Sequence, residues 1–257
     1  MEVLLICLTA AFASLLTFFS GFGLGTILLP VFALFFPVEI AVGLTGIVHL
    51  LNNLFKLTLI GKHAKKEVVL KFGIPAILGA FAGAQLLLLL SSVNEIVSYE
   101  FFSNTYFITP VKLAIAFLMI GFAILEIIPR FKELQFTKNK LMIGGLLSGF
   151  FGGLSGHQGA LRSAFLIKYG LSKETFIATG IVIACFIDFT RISIYLTKFL
   201  SKDVFMNWSI ILAATLSAFV GAFFGNKFLK KVTLNFVQIV VLVLILILGI
   251  LIGAGII

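Results

Sequence analysis

Long apolar runs are the feature of this sequence that most restricts its fold. Several runs of about 20 residues carry leucine, isoleucine and phenylalanine on all sides, and a helix of that length spans the ~30 Å hydrocarbon core of a bilayer. A transmembrane β-barrel would instead need alternating segments of about 10 residues. With 61% apolar and only 11% charged residues, the chain leaves no segment for a separate soluble domain. The sequence therefore predicts an all-α polytopic membrane protein.

Some of the apolar segments are too short to cross a bilayer alone. Two neighbouring pairs, 3–19 with 24–36 and 140–153 with 159–168, are separated only by glycine-rich breaks that read SGFGLGT and GLSGHQG. Each pair predicts either one interrupted span or a re-entrant hairpin that enters and leaves on the same side. The full set of predicted segments is 3–19, 24–36, 39–60, 67–90, 107–129, 140–153, 159–168, 174–197, 204–226 and 234–256.

Loop charges favour hairpins over interrupted spans. The loops at 61–66, 130–140 and 226–231 are basic, whereas the loop at 91–106 has two glutamates and no lysine or arginine. Two hairpins place all three basic loops in the cytoplasm and the acidic loop and both termini outside, as the positive-inside rule requires. Interrupted spans would put 226–231 outside. The net charge of +9 thus indicates topology and not nucleic-acid binding, and we expect a multi-pass protein of the cell's inner (plasma) membrane.

The two halves of the chain resemble each other weakly but in order. Each half would hold one hairpin and three spans, and this odd count turns the second copy upside down in the membrane. We therefore expect two inverted repeats, 1–129 and 141–257, joined by a cytoplasmic linker at 130–140. The matched positions are Ser20–Phe22 with Ser148–Phe150; Glu39 with Glu174, Asn53 with Asp188 and Lys56 with Arg191, each 135 apart; and Gly79 and Gly83 with Gly221 and Gly225. The four-residue spacing within each glycine pair is typical of close helix packing.

The second break combines features that suit an anion. Non-helical backbone at membrane depth is costly unless it lines a cavity or meets a ligand. The helix that follows begins at the break, so its N-terminal partial positive charge points inward, with the Arg162 guanidinium in its first turn. The first break would supply a second helix N-terminus from the opposite side. The predicted substrate-binding residues are Ser155, Gly156, His157, Gln158, Gly159 and Arg162, together with Ser20, Gly21, Gly23, Gly25, Thr26 and Asn53.

Arg162 and His157 each have a second interpretation. Arg162 could instead lie shallow and extend to the lipid headgroups. His157 could carry a proton, since its reference pKa is about 6.5, or it could serve only as a hydrogen-bonding residue.

Two helical segments carry further polar groups. Thr45, His49, Asn53 and Lys56 recur at helical spacing in 39–60 and form one polar face. Lys56 lies near the predicted cytoplasmic end, where snorkelling competes with a substrate role. In 174–197, Asp188 and Arg191 are three residues apart and can pair, which lowers the cost of burying both. His49, Lys56, Asp188 and Arg191 are candidates for gating or coupling, and the Asp188–Arg191 pair is equally compatible with substrate contact.

Several functions lack support in the sequence. Cys7 and Cys185 lie in apolar runs without a disulfide or metal-ligand pattern, and no nucleotide-binding loop is present. We therefore expect no cofactor, no metal and no catalytic residue. The expected partners are a small anion, the lipid bilayer and a candidate coupling proton, with no nucleic acid; the sequence sets no oligomeric state.

Two glycine-rich stretches resemble a known family. SGFGLGTILLPVFALFFPVEIAVGLT near the N-terminus and SGFFGGLSGHQGALRSAFLIKYGLSKETFIATG in the second half resemble the two repeats of the TauE/SafE family, often called sulfite exporters, and the similarity covers nearly the whole chain. The resemblance implies export of sulfite, a sulfonate such as sulfoacetate, or a related organic anion across the bacterial cytoplasmic membrane. The usual second motif is richer in glycine and ends in proline, so His157, Gln158 and Arg162 make this site more polar.

These observations predict a secondary transporter for a small anion that works by alternating access, one repeat rocking against the other. An anion channel is an alternative. An intramembrane enzyme that uses His157, His49 and Asp188 is a weaker one, because no nucleophile–base or metal pattern supports it.

Overall fold

The computed structural model describes residues 1–16, 23–127, 136, 140–198, 200–227 and 235–257. Ser20, Gly21 and most of the 130–140 linker lie outside these residues. The helices are α1 Glu2–Leu16, α2 Leu24–Ala33, α3 Val38–Ile60, α4 Lys66–Ser91, α5 Pro110–Ile127, α6 Leu141–Ser155, α7 Gly159–Leu166, α8 Lys173–Leu196, α9 Leu200–Met206, α10 Trp208–Lys227 and α11 Asn235–Gly253, with 3₁₀ turns at Gly61–His63 and Ile167–Tyr169.

Long apolar helices dominate the fold, as the run lengths predict. Among the described residues, four helical stretches are long and apolar enough to cross a membrane: Val38–His63, Lys66–Ser91, Lys173–Leu196 and Trp208–Lys227. Shorter apolar helices surround them, including α1, α2 and α6. Many large apolar side chains are exposed along these helices, among them Leu78, Phe117 and Leu216, which suits a surface that faces lipid. The chain is an α-helical membrane protein.

A small β-hairpin is the main departure from the all-α prediction. The acidic loop contains β1 Val97–Phe101 and β2 Asn104–Ile108, which pair antiparallel with Val97 opposite Ile108. The Tyr99 hydroxyl donates to the carbonyl of Ala254 at 2.7 Å and ties the hairpin to the end of α11. The strand signals are the alternation of polar and apolar residues in VSYEF and the β-branched and aromatic residues of NTYFI; they were missed because only the charge of this segment was considered. The short helix α9 was also not predicted.

Both predicted breaks separate helices in the structure. The described part of α1 reaches Leu16 and α2 begins at Leu24, while α6 ends at Ser155 and α7 begins at Gly159. Gly156, immediately after α6, has φ +84°, a left-handed backbone that only glycine adopts without strain. This residue therefore ends α6 and turns the chain toward α7.

Glycines bring two pairs of helices into backbone contact. A Cβ atom on Gly79 or Gly83 of α4 would lie 2.2 Å from the Leu146 carbonyl oxygen or 2.0 Å from that of Phe150, both in α6. A Cβ atom on Gly221 of α10 would lie 2.0 Å from the carbonyl oxygen of Ala11 in α1. The packing interpretation of these three glycines is confirmed, since no side chain fits in such contacts.

The ends of the helices gather at two faces. A groove of about 450 Å³ beside the β-hairpin is lined by the end of α2, the starts of α3 and α5, and the last residues of the chain. At the other ends of the long helices, the Lys65 amide donates to the Thr179 hydroxyl at 2.9 Å. The turn after α3 therefore lies beside the first turns of α8.

Candidate anion site

The second break lies directly against Arg191 of α8. A Cβ atom on Gly156 would be 2.7 Å from Arg191 Nη1, and one on Gly46 of α3 would be 3.2 Å from its Cζ. Arg191 is only 1% exposed. Glycines on two separate elements thus make the space in which this guanidinium lies.

Asp188 is the centre of a buried polar cluster. Its Oδ1 accepts from Arg191 Nε at 3.0 Å and from Gln158 Nε2 at 3.2 Å, and Arg191 Nη2 lies 2.9 Å from the same oxygen. Its Oδ2 is 2.5 Å from Nδ1 of His49 on α3. The predicted pairing of Asp188 with Arg191 is confirmed. His49 and Gln158 join this cluster from parts of the chain far from α8 in sequence.

Arg162 reaches the same cluster through Gln158. Arg162 lies in the first turn of α7 and is partly buried. Its Nη1 donates to Gln158 Oε1 at 3.0 Å. The side chain packs over Gly180 of α8, where a Cβ atom would be 3.2 Å from Arg162 Nε. Gln158 itself is held by Ser148, whose hydroxyl donates to the Gln158 carbonyl at 3.0 Å. The prediction placed Arg162 alone beside the break, whereas in the structure Arg191 is the guanidinium against Gly156.

The two breaks approach each other, as expected of opposed helix ends. A Cβ atom on Gly25, in the first turn of α2, would lie 3.8 Å from the Gly156 carbonyl oxygen and 3.8 Å from Thr45 Cγ2. Thr26 is buried, and Gly23 is the residue before α2. The described part of the first break therefore lies next to the second one.

Among the residues that the structure describes, three buried polar atoms near this meeting point find no hydrogen-bond partner: Thr45 Oγ1, His157 Nε2 and Arg191 Nη2. Arg191 Nη2 is within ion-pair distance of Asp188 but makes no hydrogen bond of good geometry. The His157 ring stacks on Phe122 of α5 with centroids 5.7 Å apart, and its Nδ1 lies 3.0 Å from Ser155 Oγ. Buried polar atoms without a hydrogen bond are costly, so these three atoms make this place a candidate ligand site.

A second polar group lies further along α3. Asn53 Nδ2 is 3.3 Å from His49 Nδ1. With the Asn52 amide oriented to satisfy its neighbours, its oxygen accepts from Lys56 Nζ at 3.2 Å and from Ser14 Oγ at 3.0 Å. Lys56 is 4% exposed, so the snorkelling interpretation is wrong for this residue. Ser14 was missed because it is a single small polar residue in an apolar run, and Asn52 because the polar face was drawn through its neighbour Asn53, although Asn52 also lies three residues after His49.

Positive charge exceeds negative charge in the described cluster. The guanidinium groups of Arg162 and Arg191 face one carboxylate, that of Asp188, and Lys56 is close enough to Arg162 for the two to interact electrostatically. Even with Lys56 neutral, one guanidinium charge is left without a carboxylate. In a medium of low dielectric constant, such an excess favours the entry of an anion.

The described residues contain no group of histidine, cysteine, aspartate or glutamate side chains that could hold a metal ion.

The fold and contacts define a polytopic helical membrane protein with a cationic cluster where two broken helices meet. The family model for Sulfite exporter TauE/SafE matches residues 6–252, and the chain belongs to this family of membrane transporters. Comparisons with curated proteins and with solved structures gave no match.

Proposed function

We propose that this protein is a secondary transporter that exports a small anion, either sulfite, a sulfonate such as sulfoacetate, or a related organic anion, across the inner (plasma) membrane. The observation that carries the proposal is the break at Gly156, where Arg191 pairs with Asp188, Arg162 is linked to the same carboxylate through Gln158, and nearby polar atoms find no hydrogen-bond partner among the described residues. Family membership supports transport as the function class.

The chemistry of the break suits a sulfur oxyanion. Sulfite and sulfonates present three oxygens in a pyramid, and a guanidinium with several N–H and O–H donors can bind such a group from more than one direction. Thr45 Oγ1, Arg191 Nη2 and, in one tautomer, His157 Nε2 are donors that make no hydrogen bond to the described residues, although Arg191 Nη2 is ion-paired with Asp188. The adjacent N-terminus of α7 adds partial positive charge.

We further propose two inverted repeats that alternate access to this site. α2 and α7 begin 135 positions apart, and so do α3 and α8. The packing pairs correspond as well, because α4 packs on α6 in the way that α10 packs on α1. This register pairs Ser20 and Gly21 with Ser155 and Gly156, in place of the Ser148–Phe150 match predicted from sequence. The proposed boundaries remain 1–129, 130–140 and 141–257.

The contacts at the helix ends support re-entrant hairpins. The loop after α3 lies beside the start of α8, through Lys65 and Thr179, and the Phe136 amide of the linker donates to the Ala164 carbonyl of α7 at 3.4 Å. A hairpin formed by α6 and α7 returns the chain to this face, whereas a single span would carry it to the opposite one. We assign this face to the cytoplasm from its basic loops.

Cysteine labelling tests this topology. In a background without Cys7 and Cys185, an impermeant maleimide should label Ser98→Cys, on the exposed part of the β-hairpin, in intact cells. Lys62→Cys, in the exposed turn after α3, should react only after permeabilisation. Each variant controls for the reactivity of the other, and the reverse pattern would contradict the proposed orientation.

Counterflow in proteoliposomes tests the transport function. Vesicles loaded with unlabelled sulfite should accumulate labelled sulfite transiently, because a carrier exchanges its substrate across the membrane. Methanesulfonate or sulfoacetate in place of sulfite inside the vesicles would then rank the substrates. Flux that shows neither saturation nor counterflow would indicate a channel and would contradict alternating access.

Arg162→Ala should lower anion binding and transport by about tenfold or more, since a hydrogen bond to a charged group contributes about 1.5–3 kcal/mol. The protein should remain in the membrane, because the variant leaves the helical spans unchanged. Lys71→Ala is a matched control: Lys71 is an exposed cation paired with Glu67 at 3.0 Å on the surface of α4. Unchanged uptake by Arg162→Ala would remove Arg162 from the site.

A further inference from the structure

The site at the break already holds an anion of its own, the carboxylate of Asp188. Arg191 contacts Asp188 through Nε and Nη2, while its Nη1 faces Gly156. A substrate anion that binds Arg191 therefore acts on the same guanidinium that holds Asp188. The two negative groups share one partner.

His49 is a second close partner of Asp188. His49 Nδ1 lies 2.5 Å from Asp188 Oδ2, and both residues are buried. A proton can be held between an imidazole and a carboxylate at this distance, where it belongs to the pair as a whole. The described charged or titratable groups around Asp188 are His49 on α3, Arg162 on α7, and Cys185, Arg191 and Tyr195 on α8, with Lys56 acting through Arg162.

We propose that the anion competes with Asp188 for Arg191, and that the His49–Asp188 pair takes up one proton as the anion binds, so that anion and proton are carried together. This inference rests on the proposed function. The proton comes from the aqueous phase on the side where the anion enters, and no covalent bond changes.

The direction of the coupling follows from charge. A carboxylate whose cationic partner is drawn away binds a proton more tightly, and a buried anion also attracts a proton directly because screening is weak inside the protein. By linkage, protonation of the pair must favour the anion by the same factor. Anion binding should therefore tighten as the pH falls.

Isothermal titration of the purified protein with methanesulfonate measures this coupling. The charge of this probe does not change near neutral pH, unlike that of sulfite. Two cationic buffers of different ionisation enthalpy, both titrated with the same acid, report the protons taken up, and the buffer itself does not compete as an anion. We expect about one proton per anion, and an affinity that weakens by up to about tenfold per pH unit as the pH rises.

The variants separate the coupling from the anion site itself. Asp188→Asn should bind methanesulfonate without proton uptake and without pH dependence, since Arg191 remains. His49→Gln keeps a polar side chain and the Asp188 carboxylate but removes the imidazole of the pair, so it should take up fewer protons per anion than the wild type; it provides a second test if Asp188→Asn does not fold. Glu67→Gln, an exposed carboxylate on α4, should behave as the wild type.

Two results would overturn the inference, and they differ from each other. Binding by the wild type with no proton uptake and constant affinity between about pH 6 and about pH 8 would reject the coupling and leave the anion site standing. No binding of methanesulfonate, sulfite or sulfoacetate by folded wild type would reject the proposed function, and the coupling with it.

Discussion

Replacing Gly156 with alanine should abolish transport and lower stability. The residue has φ +84°, and an L-residue in this region costs about 1–2 kcal/mol. In addition, the new Cβ atom would lie 2.7 Å from Arg191 Nη1, so the guanidinium must move away from the break or the break must open. Both changes disturb the geometry that we assign to anion binding. Thermal unfolding and counterflow measured on the same preparation test this expectation.

Gly170 provides a matched control for the backbone part of that effect. It also has a positive φ, of +64°, but a Cβ atom there would meet nothing within 4 Å. Gly170→Ala should therefore lose a similar amount of backbone free energy while retaining transport. If Gly156→Ala transported as well as Gly170→Ala, the contact between the break and Arg191 would not matter for function.

Arg191→Met should be the most damaging single change in the cluster. It removes a guanidinium that is 1% exposed and leaves Asp188 with His49 and Gln158 as its described partners. Loss of one member of a buried ion pair typically costs about 3–5 kcal/mol, because the other charge stays buried without compensation. We expect little folded protein at physiological temperature and no counterflow.

A double variant separates folding from function at this position. Arg191→Met combined with Asp188→Asn removes both charges and should restore much of the lost stability. It should still fail to bind an anion, since the guanidinium at the break is absent. Restored sulfite counterflow in the double variant would show that the ion pair has only a structural role.

Local sequence patterns predicted the parts of the site that depend on helix geometry. The spacing of Thr45, His49, Asn53 and Lys56 defines one helical face whatever the tertiary fold, and all four are buried. The separation of Asp188 and Arg191 likewise suits pairing within one helix. The glycine pattern in 153–159 predicted where α6 stops, because glycine tolerates backbone conformations that end a helix, and the pattern in 20–26 contains the described start of α2.

Contacts between distant segments could not be predicted in this way. His49 and Asp188 are 139 residues apart, and their meeting depends on how α3 crosses α8. The same crossing places Arg191 against Gly156, where Arg162 was expected from the sequence. A helix presents polar residues to one side, but the sequence alone does not say which neighbour lies there.

The central claim is that an oxyanion binds where the two breaks meet, and an anomalous-scattering crystal structure with selenite tests it most directly. Selenite has the pyramidal shape of sulfite, and its selenium can be located without reference to the surrounding density. We predict one strong selenium peak within about 4 Å of Arg191 Nη2, with oxygens close enough to accept hydrogen bonds from it. A break packed without ligand, with selenium only in the groove beside the β-hairpin or at the surface, would contradict this account.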